Sequence, residues 1–289
     1  MTAPPQGVEA DHIEFPAGRV RFHRAGGSGP AIVLLHGGGL DTGLLSWRPT
    51  IPVLAADHRV FIPDLPGHGG SRPWHGRANQ RTFEEVLRWL LDAWRLPDAV
   101  LVGQSTGASI ATGFALRHPQ RVRGLVLVDP AGVQARLKRH LLTYLLVKLR
   151  FVGPLSARAL GWSRALTRLV LTRGVFTGSA PVSDLEAIVD EAVAEARGRR
   201  SMFSDWLVDS LERRAMRVNH LPHLDRVQCP TMIIHGEKDS VVPESAAREA
   251  AGAIAGSMLR VLPDAGHWPS RERPTEFNAL LREFVNTHR

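Results

Sequence analysis

Six short apolar runs, at residues 31–35, 60–62, 99–102, 125–128, 231–234 and 258–262, constrain this chain more than any other feature. A run without polar alternation suits a strand buried on both faces, and such strands belong to parallel sheets. Helical periodicity fills the intervals. Thr82 reads as an N-cap with Glu85 completing a capping box, and Phe83, Val86, Leu87, Leu90 and Leu91 then recur on one face. Ile110, Phe114 and Ala115 repeat that pattern until His118-Pro119 stops the helix. Two further strand segments, 12–15 and 20–24, flank the turn Pro16-Ala17-Gly18. Strands alternating with helices predict an α/β protein with a mostly parallel, doubly wound sheet.

The alternation breaks over residues 131–222, which are helix-like, arginine-rich and punctuated by Gly153-Pro154, Gly174, Gly178 and Pro181. The sheet pattern resumes at Pro230. The expected organisation is therefore a core of residues 1–130 and 223–289 carrying an inserted all-helical cap, 131–222, which the 289 residues can accommodate. The apolar stretch 140–152 is interrupted by Lys148 and Arg150 and is too short to span a bilayer.

Cys229 is the only cysteine, which excludes an intrachain disulfide and a thiolate metal cluster and suits a reducing compartment. The first residues lack the basic start and apolar stretch of a secretory signal, so the cytoplasm is the expected location. The formal charge of +8 raises the question of an anionic partner. The basic residues are almost all arginine, however, scattered along the chain without interleaved aromatics, which argues against nucleic acid and against a membrane surface. Self-association into a homo-oligomer stays open.

Chemistry enters at Gly103-Gln104-Ser105-Thr106-Gly107, directly after the run 99–102 and directly before a helix. A strand-to-helix turn this tight strains the backbone at the serine and tolerates only small flanking residues. It lifts the hydroxyl above the sheet edge and aims a helix N-terminus at an anion formed there. Serine needs a neighbouring base to act as a nucleophile at neutral pH. His267, in the loop after the last predicted strand, lies where parallel sheets place their ligands. Asp239, in the loop after 231–234, is the candidate to orient the imidazole; Glu237 and Asp129 are its rivals. In His36-Gly37-Gly38-Gly39, closing the first run, the N–H of Gly38 is paired with that of Thr106 as the expected oxyanion donors. His36 itself reads as a structural residue beneath that loop.

Together with Asp64-Leu65-Pro66-Gly67-His68-Gly69, Gly236-Glu237-Lys238-Asp239 and Gly266-His267-Trp268, these motifs resemble, in order and over nearly the whole chain outside the cap, the α/β-hydrolases with a helical cap. Relatives that cleave carbon–halogen bonds or epoxides carry aspartate at the nucleophile position, so Ser105 implies acyl chemistry. The resemblance implies hydrolysis of a carboxylic ester, thioester or lactone on Ser105, with no metal or organic cofactor and a small to medium, largely apolar small-molecule acyl substrate. The glycine run and Gly266-His267-Trp268 are also similar to carbon–carbon bond hydrolases of ring-cleavage products, although Gln104 stands where those usually have asparagine and Ala108 replaces a common second glycine. A lyase or acyltransferase would use the same triad; a non-catalytic receptor on this fold would not need one. In the cap, Leu141, Leu142, Leu145, Leu146, Leu149 and Phe151 suggest an apolar pocket wall, and one cap arginine could meet a substrate carboxylate.

Overall fold

A computed structural model describes residues 4–149, 152–179, 181–198 and 202–288. Arg150 and Phe151 lie outside the described residues. The strands are β1 (Glu9–Phe15), β2 (Gly18–Ala25), β3 (Ala31–Leu35), β4 (Arg59–Pro63), β5 (Ala99–Gln104), β6 (Val122–Val128), β7 (Thr231–Gly236) and β8 (Met258–Leu262). They form one eight-stranded sheet in the order β1-β2-β4-β3-β5-β6-β7-β8. The β1–β2 and β2–β4 pairings are antiparallel and every later one is parallel. All residues of β3, β5 and β7 are buried, as their unbroken apolar runs require.

Helices cover both faces of the sheet. The core helices are α1 (Gly43–Trp47), α2 (Ile51–Ala55), α3 (Gln80–Ala93) and α4 (Thr106–Arg117). A helical insertion follows β6, comprising α5 (His140–Lys148), α6 (Val152–Trp162), α7 (Arg164–Gly174), α8 (Leu185–Ala196) and α9 (Met202–Ser210). After β7 come α10 (Glu244–Ala253), α11 (Pro269–Glu272) and α12 (Pro274–Thr287). On one face of the sheet, Phe83, Leu87 and Leu90 of α3 and Ile110 and Phe114 of α4 pack against Val33, Leu101 and Leu125. On the other, Phe277, Leu281 and Phe284 of α12 pack with Ile32, Val102 and Val126.

Two expectations are corrected. Asn79, not Thr82, caps α3: its extended backbone lets Oδ1 accept from the Thr82 N–H at 2.9 Å. Thr82 is thereby already inside the first turn, and Glu85 bonds Arg81 at 2.9 Å instead of closing a box. The cap leucines are not enclosed either. Leu141, Leu142, Leu145, Leu146 and Leu149 are exposed, at 43–52% of their surface.

The insertion is fastened to the core by polar contacts. Glu195 of α8, buried, pairs with Arg72 and accepts from the Gly69 N–H at 3.2 Å. Arg271 of α11, also buried, pairs with Asp184 ahead of α8. Among the described residues no helix is long and apolar enough to cross a membrane.

Candidate active site

Ser105 sits between β5 and α4 with φ 50° and ψ −111°, outside the regions an L-residue prefers. Its N–H is held by the Val128 carbonyl of the neighbouring strand at 2.8 Å, and its own carbonyl accepts from Ala108, Ser109 and Ala131. The strained turn is thus fixed from both sides, which is what lets an unfavourable backbone persist. The flanking glycines are sterically obligatory. A Cβ on Gly107 would lie 2.6 Å from the His36 carbonyl oxygen and closer still to that of Leu35, and one on Gly103 would meet the backbone of Gly107 and Ala108.

His267 lies between β8 and α11, 9% exposed, with Nδ1 2.7 Å from Asp239 Oδ2. Asp239 follows β7, and its Oδ1 accepts from the Val241 and Val242 N–H groups at 2.7 and 3.1 Å. Burial pushes its carboxyl upward, but His267 and those two amides outweigh burial and hold it below the ordinary carboxylate range. Gln104 joins the two halves of the site: from the residue before Ser105, its Nε2 donates to the His267 carbonyl at 2.7 Å. The histidine loop is also stitched to the cap, since the His267 N–H donates to Val175 at 2.9 Å. Glu272 accepts from both Gly266 and Gly178, each at 2.9 Å.

The glycine loop passes beside the serine. A Cβ on Gly37 would stand 3.6 Å from the Ser105 Cβ. Asp41 takes the Gly37 N–H at 2.7 Å and the Ser46 hydroxyl at 2.6 Å, and burial raises its carboxyl to about 7. Among the described residues, the Gly38 and Thr106 N–H groups have no acceptor within the protein. His36 is fully buried; its Nε2 accepts from the Leu65 N–H at 2.8 Å and its Nδ1 lies 2.6 Å from the Gly37 carbonyl oxygen. Burial and the neighbouring His68 lower it to about 4, so it stays a neutral brace under the loop. From the cap, the Phe203 ring lies directly over Gly38, and a Cβ there would come within 2.7 Å of Phe203 Cγ and closer to the ring edge. Any larger residue there would have to displace the ring.

Of the rivals, Glu237 turns away and accepts from the Asp264 N–H at 3.0 Å. Asp129 is wholly buried after β6, and its Oδ1 accepts from the Gly236 N–H at 2.9 Å. Its Oδ2 and the nearby Gln104 Oε1 are both buried without a donor. Burial, reinforced by the charge of Asp239, pushes Asp129 well above the ordinary carboxyl range. A protonated Asp129 gives Oδ2 a hydrogen to donate. Ligand atoms of Asp129, Asp239 and His267 lie within 4.8 Å of one another, a spacing that the histidine–carboxylate hydrogen bond accounts for without an ion.

These contacts predict a pH signature. Because the folded state holds the Asp129 proton at a pH where the unfolded chain has released it, this group's stabilisation declines as pH rises above about 4. Asp129→Asn does not titrate and preserves the acceptor for Gly236. Urea unfolding at pH 5 and pH 8 is expected to show the variant gaining on the parent at the higher pH; parallel pH profiles would contradict a buried neutral carboxyl.

Asp41, Glu272, Phe203 and the bridging role of Gln104 were not found in the sequence. Each acts through residues distant in the chain, and only the position of Gln104 inside the serine motif could have hinted at its part.

Residues 30–274 match the model of the α/β hydrolase fold family. The 2-hydroxymuconate semialdehyde hydrolase of Pseudomonas sp. (strain CF600) is 30% identical, over 99% of this chain and 97% of its own. The 2-hydroxy-6-oxo-2,4-heptadienoate hydrolase of a Pseudomonas putida strain is 28% identical, over 90% of each chain. Among solved structures, a carboxylesterase from Bacillus subtilis superposes with a TM-score of 0.79 over 97% of this chain and 92% of its own, and at 23% identity it shows likeness of fold alone.

Proposed function

The chain belongs to the α/β-hydrolase family, and on that premise we propose that it is a serine hydrolase that cleaves a carbon–carbon bond beside a carbonyl. The observation that carries the serine chemistry is the 2.7 Å His267–Asp239 pair, tethered by Gln104 to the strained turn at Ser105. Likeness along nearly the whole chain to two hydrolases named for ring-cleavage products favours a carbon–carbon bond over the ester placed first from sequence.

In this reading Ser105 Oγ attacks the carbonyl carbon while His267 Nε2 takes its proton. Asp239 holds the Nδ1–H and stabilises the imidazolium. The N–H groups of Gly38 and Thr106 receive the developing oxyanion, and that neither has an acceptor among the described residues supports that role. Collapse of the tetrahedral adduct breaks the carbon–carbon bond, and the electron pair departs on a conjugated carbon that accepts the proton from His267. Water, deprotonated by His267, then attacks the acyl-enzyme, releasing the acid and restoring the Ser105 hydroxyl. For an ester the departing atom is oxygen and the other steps are unchanged. Neither reaction calls for a metal or an organic cofactor.

Residues 131–222 would form the lid over a core of 1–130 and 223–289. Phe203 over Gly38, stacked on Trp206 at 5.9 Å, supports a largely apolar substrate. The single cysteine supports a cytoplasmic, reducing setting. The test compares kcat/KM for a conjugated 2-hydroxy-6-oxo-2,4-dienoate, followed by loss of its absorbance, with that for a series of p-nitrophenyl esters. A dienoate preference of at least about tenfold, some 1.4 kcal/mol in the barrier, is expected. Faster ester turnover with no loss of the dienoate would return the assignment to a carboxylesterase.

A further inference from the structure

Three consecutive helices of the insertion carry apolar side chains exposed to solvent. On α5, Leu141, Leu142, Leu145 and Leu146 are 43–52% exposed; on α6, Leu155 is 59% and Trp162 75% exposed. On α7, Leu166, Leu169 and Val170 are 37–44% exposed. Each set repeats at helical spacing, so these are stripes and not scattered surface residues. α6 packs on both α5 and α7, which brings the three stripes onto neighbouring elements. Monomeric proteins seldom leave so much apolar surface together without a use for it.

The charge of the same stretch narrows the use. Residues 131–183 hold nine arginines and lysines and no aspartate or glutamate. Lys138 and Arg139 stand exposed at the start of α5 and Lys148 at its end, and Arg173 is exposed at the end of α7. The Arg158 guanidinium lies 4.6 Å from the centre of the Trp162 ring, joining a cation to the most exposed aromatic of the surface. Arg164 and Arg168 are offset by Glu186 and Asp190 of α8, which leaves the cations of α5, Arg158 and Arg173 to set the charge of this face. The sequence hid this arrangement, because the leucines interrupt the basic runs and only the fold makes the three helices neighbours with both kinds of residue exposed.

We propose that the outer face of α5–α7 docks on an anionic phospholipid membrane, with the leucines and Trp162 entering the headgroup boundary and the flanking cations meeting lipid phosphates. Leucine and tryptophan stripes bordered by arginine and lysine are what an interfacial helix needs. A second copy of the chain fits less well, since a two-fold contact through this face would bring like charges together. This inference reverses the expectation drawn from the dispersed basic residues, and it is independent of the chemistry at Ser105. α5 also packs on α9, which carries Phe203 over Gly38, so the docking face adjoins the part of the insertion that meets the glycine loop.

The test is co-sedimentation with phosphatidylcholine vesicles, with and without one third phosphatidylglycerol, using the full chain and a variant carrying Leu142→Asp and Leu146→Asp. Both leucines are exposed, so the substitutions leave the core intact. The parent is expected to sediment with the anionic vesicles only, less so at high salt, and the variant at least about tenfold more weakly. Failure of the parent to sediment would overturn the proposal, as would equal binding by parent and variant. Light scattering that gave a dimer dissociated by the same substitutions, with no vesicle binding, would assign the face to a second copy.

Discussion

Ser105→Ala is expected to lower kcat by about 10⁴- to 10⁶-fold on any substrate the protein turns over. Alanine removes one oxygen from a turn whose backbone is held by Val128, Ala108, Ser109 and Ala131 and not by the side chain. The fold should therefore survive, with an unfolding transition within a degree or two of the parent. Residual turnover would come from binding and from the Gly38 and Thr106 amides proposed to face the oxyanion. The measurement is single-turnover kinetics with the best dienoate or ester, alongside labelling by a fluorophosphonate. A variant retaining a tenth of the parental rate would remove Ser105 from the chemistry and leave the geometry of the turn without the role assigned to it.

Gly107→Ala is expected to cost about 3 kcal/mol of stability, at the upper end of overpacking effects. The added Cβ meets two backbone carbonyl oxygens, of Leu35 and His36, at the end of β3. Side chains give way to such intrusions more easily than a central strand does. In a chain of this size the loss corresponds to a fall of roughly 6–12 °C in Tm. Activity should fall more than stability alone explains, because any relief pushes α4 away from β3 and shifts Ser105 against the glycine loop. Differential scanning calorimetry with a parallel activity assay below both transitions separates the effects. A Tm within 2 °C of the parent would show that β3 and α4 can part at little cost, against the packing described.

Legibility in the sequence followed the range of the interactions. Strands β3, β5, β6 and β7 were readable because burial on both faces leaves no room for polar alternation. Ser105 and Asp239 were readable as candidates because each falls in a short loop at the end of such a strand, and His267 because its loop follows β8, which is only partly buried and carries the exposed Arg260. The N-terminus of α3 was misread by one turn, since Thr82 and Asn79 are both capping residues and only backbone geometry chooses between them. The leucines of α5 were misread because a stripe at helical spacing says that a face is apolar, not what covers it. Asp129 could be named as a rival but not placed: its burial against Gly236, Gln104 and Asp239 joins three strand ends that are far apart in the chain. Phe203 and Glu272 bind across the boundary between insertion and core, where local pattern carries no information.

The seam between the histidine loop and the segment after α7 has a bearing on how such proteins diversify. Val175 and Gly178 belong to the insertion in sequence, yet they hold His267 and share Glu272 with Gly266. A lid transplanted from a cousin by cutting at the two strand ends would bring a foreign partner to this seam and unsettle the imidazole before it altered specificity. Recombination, natural or in the laboratory, should succeed more often when 175–178 and Glu272 travel as a matched pair. The module that can be traded freely is consequently smaller than the insertion, and changes at the Phe203 end of α9, against Gly38, disturb the seam less than exchange of the whole.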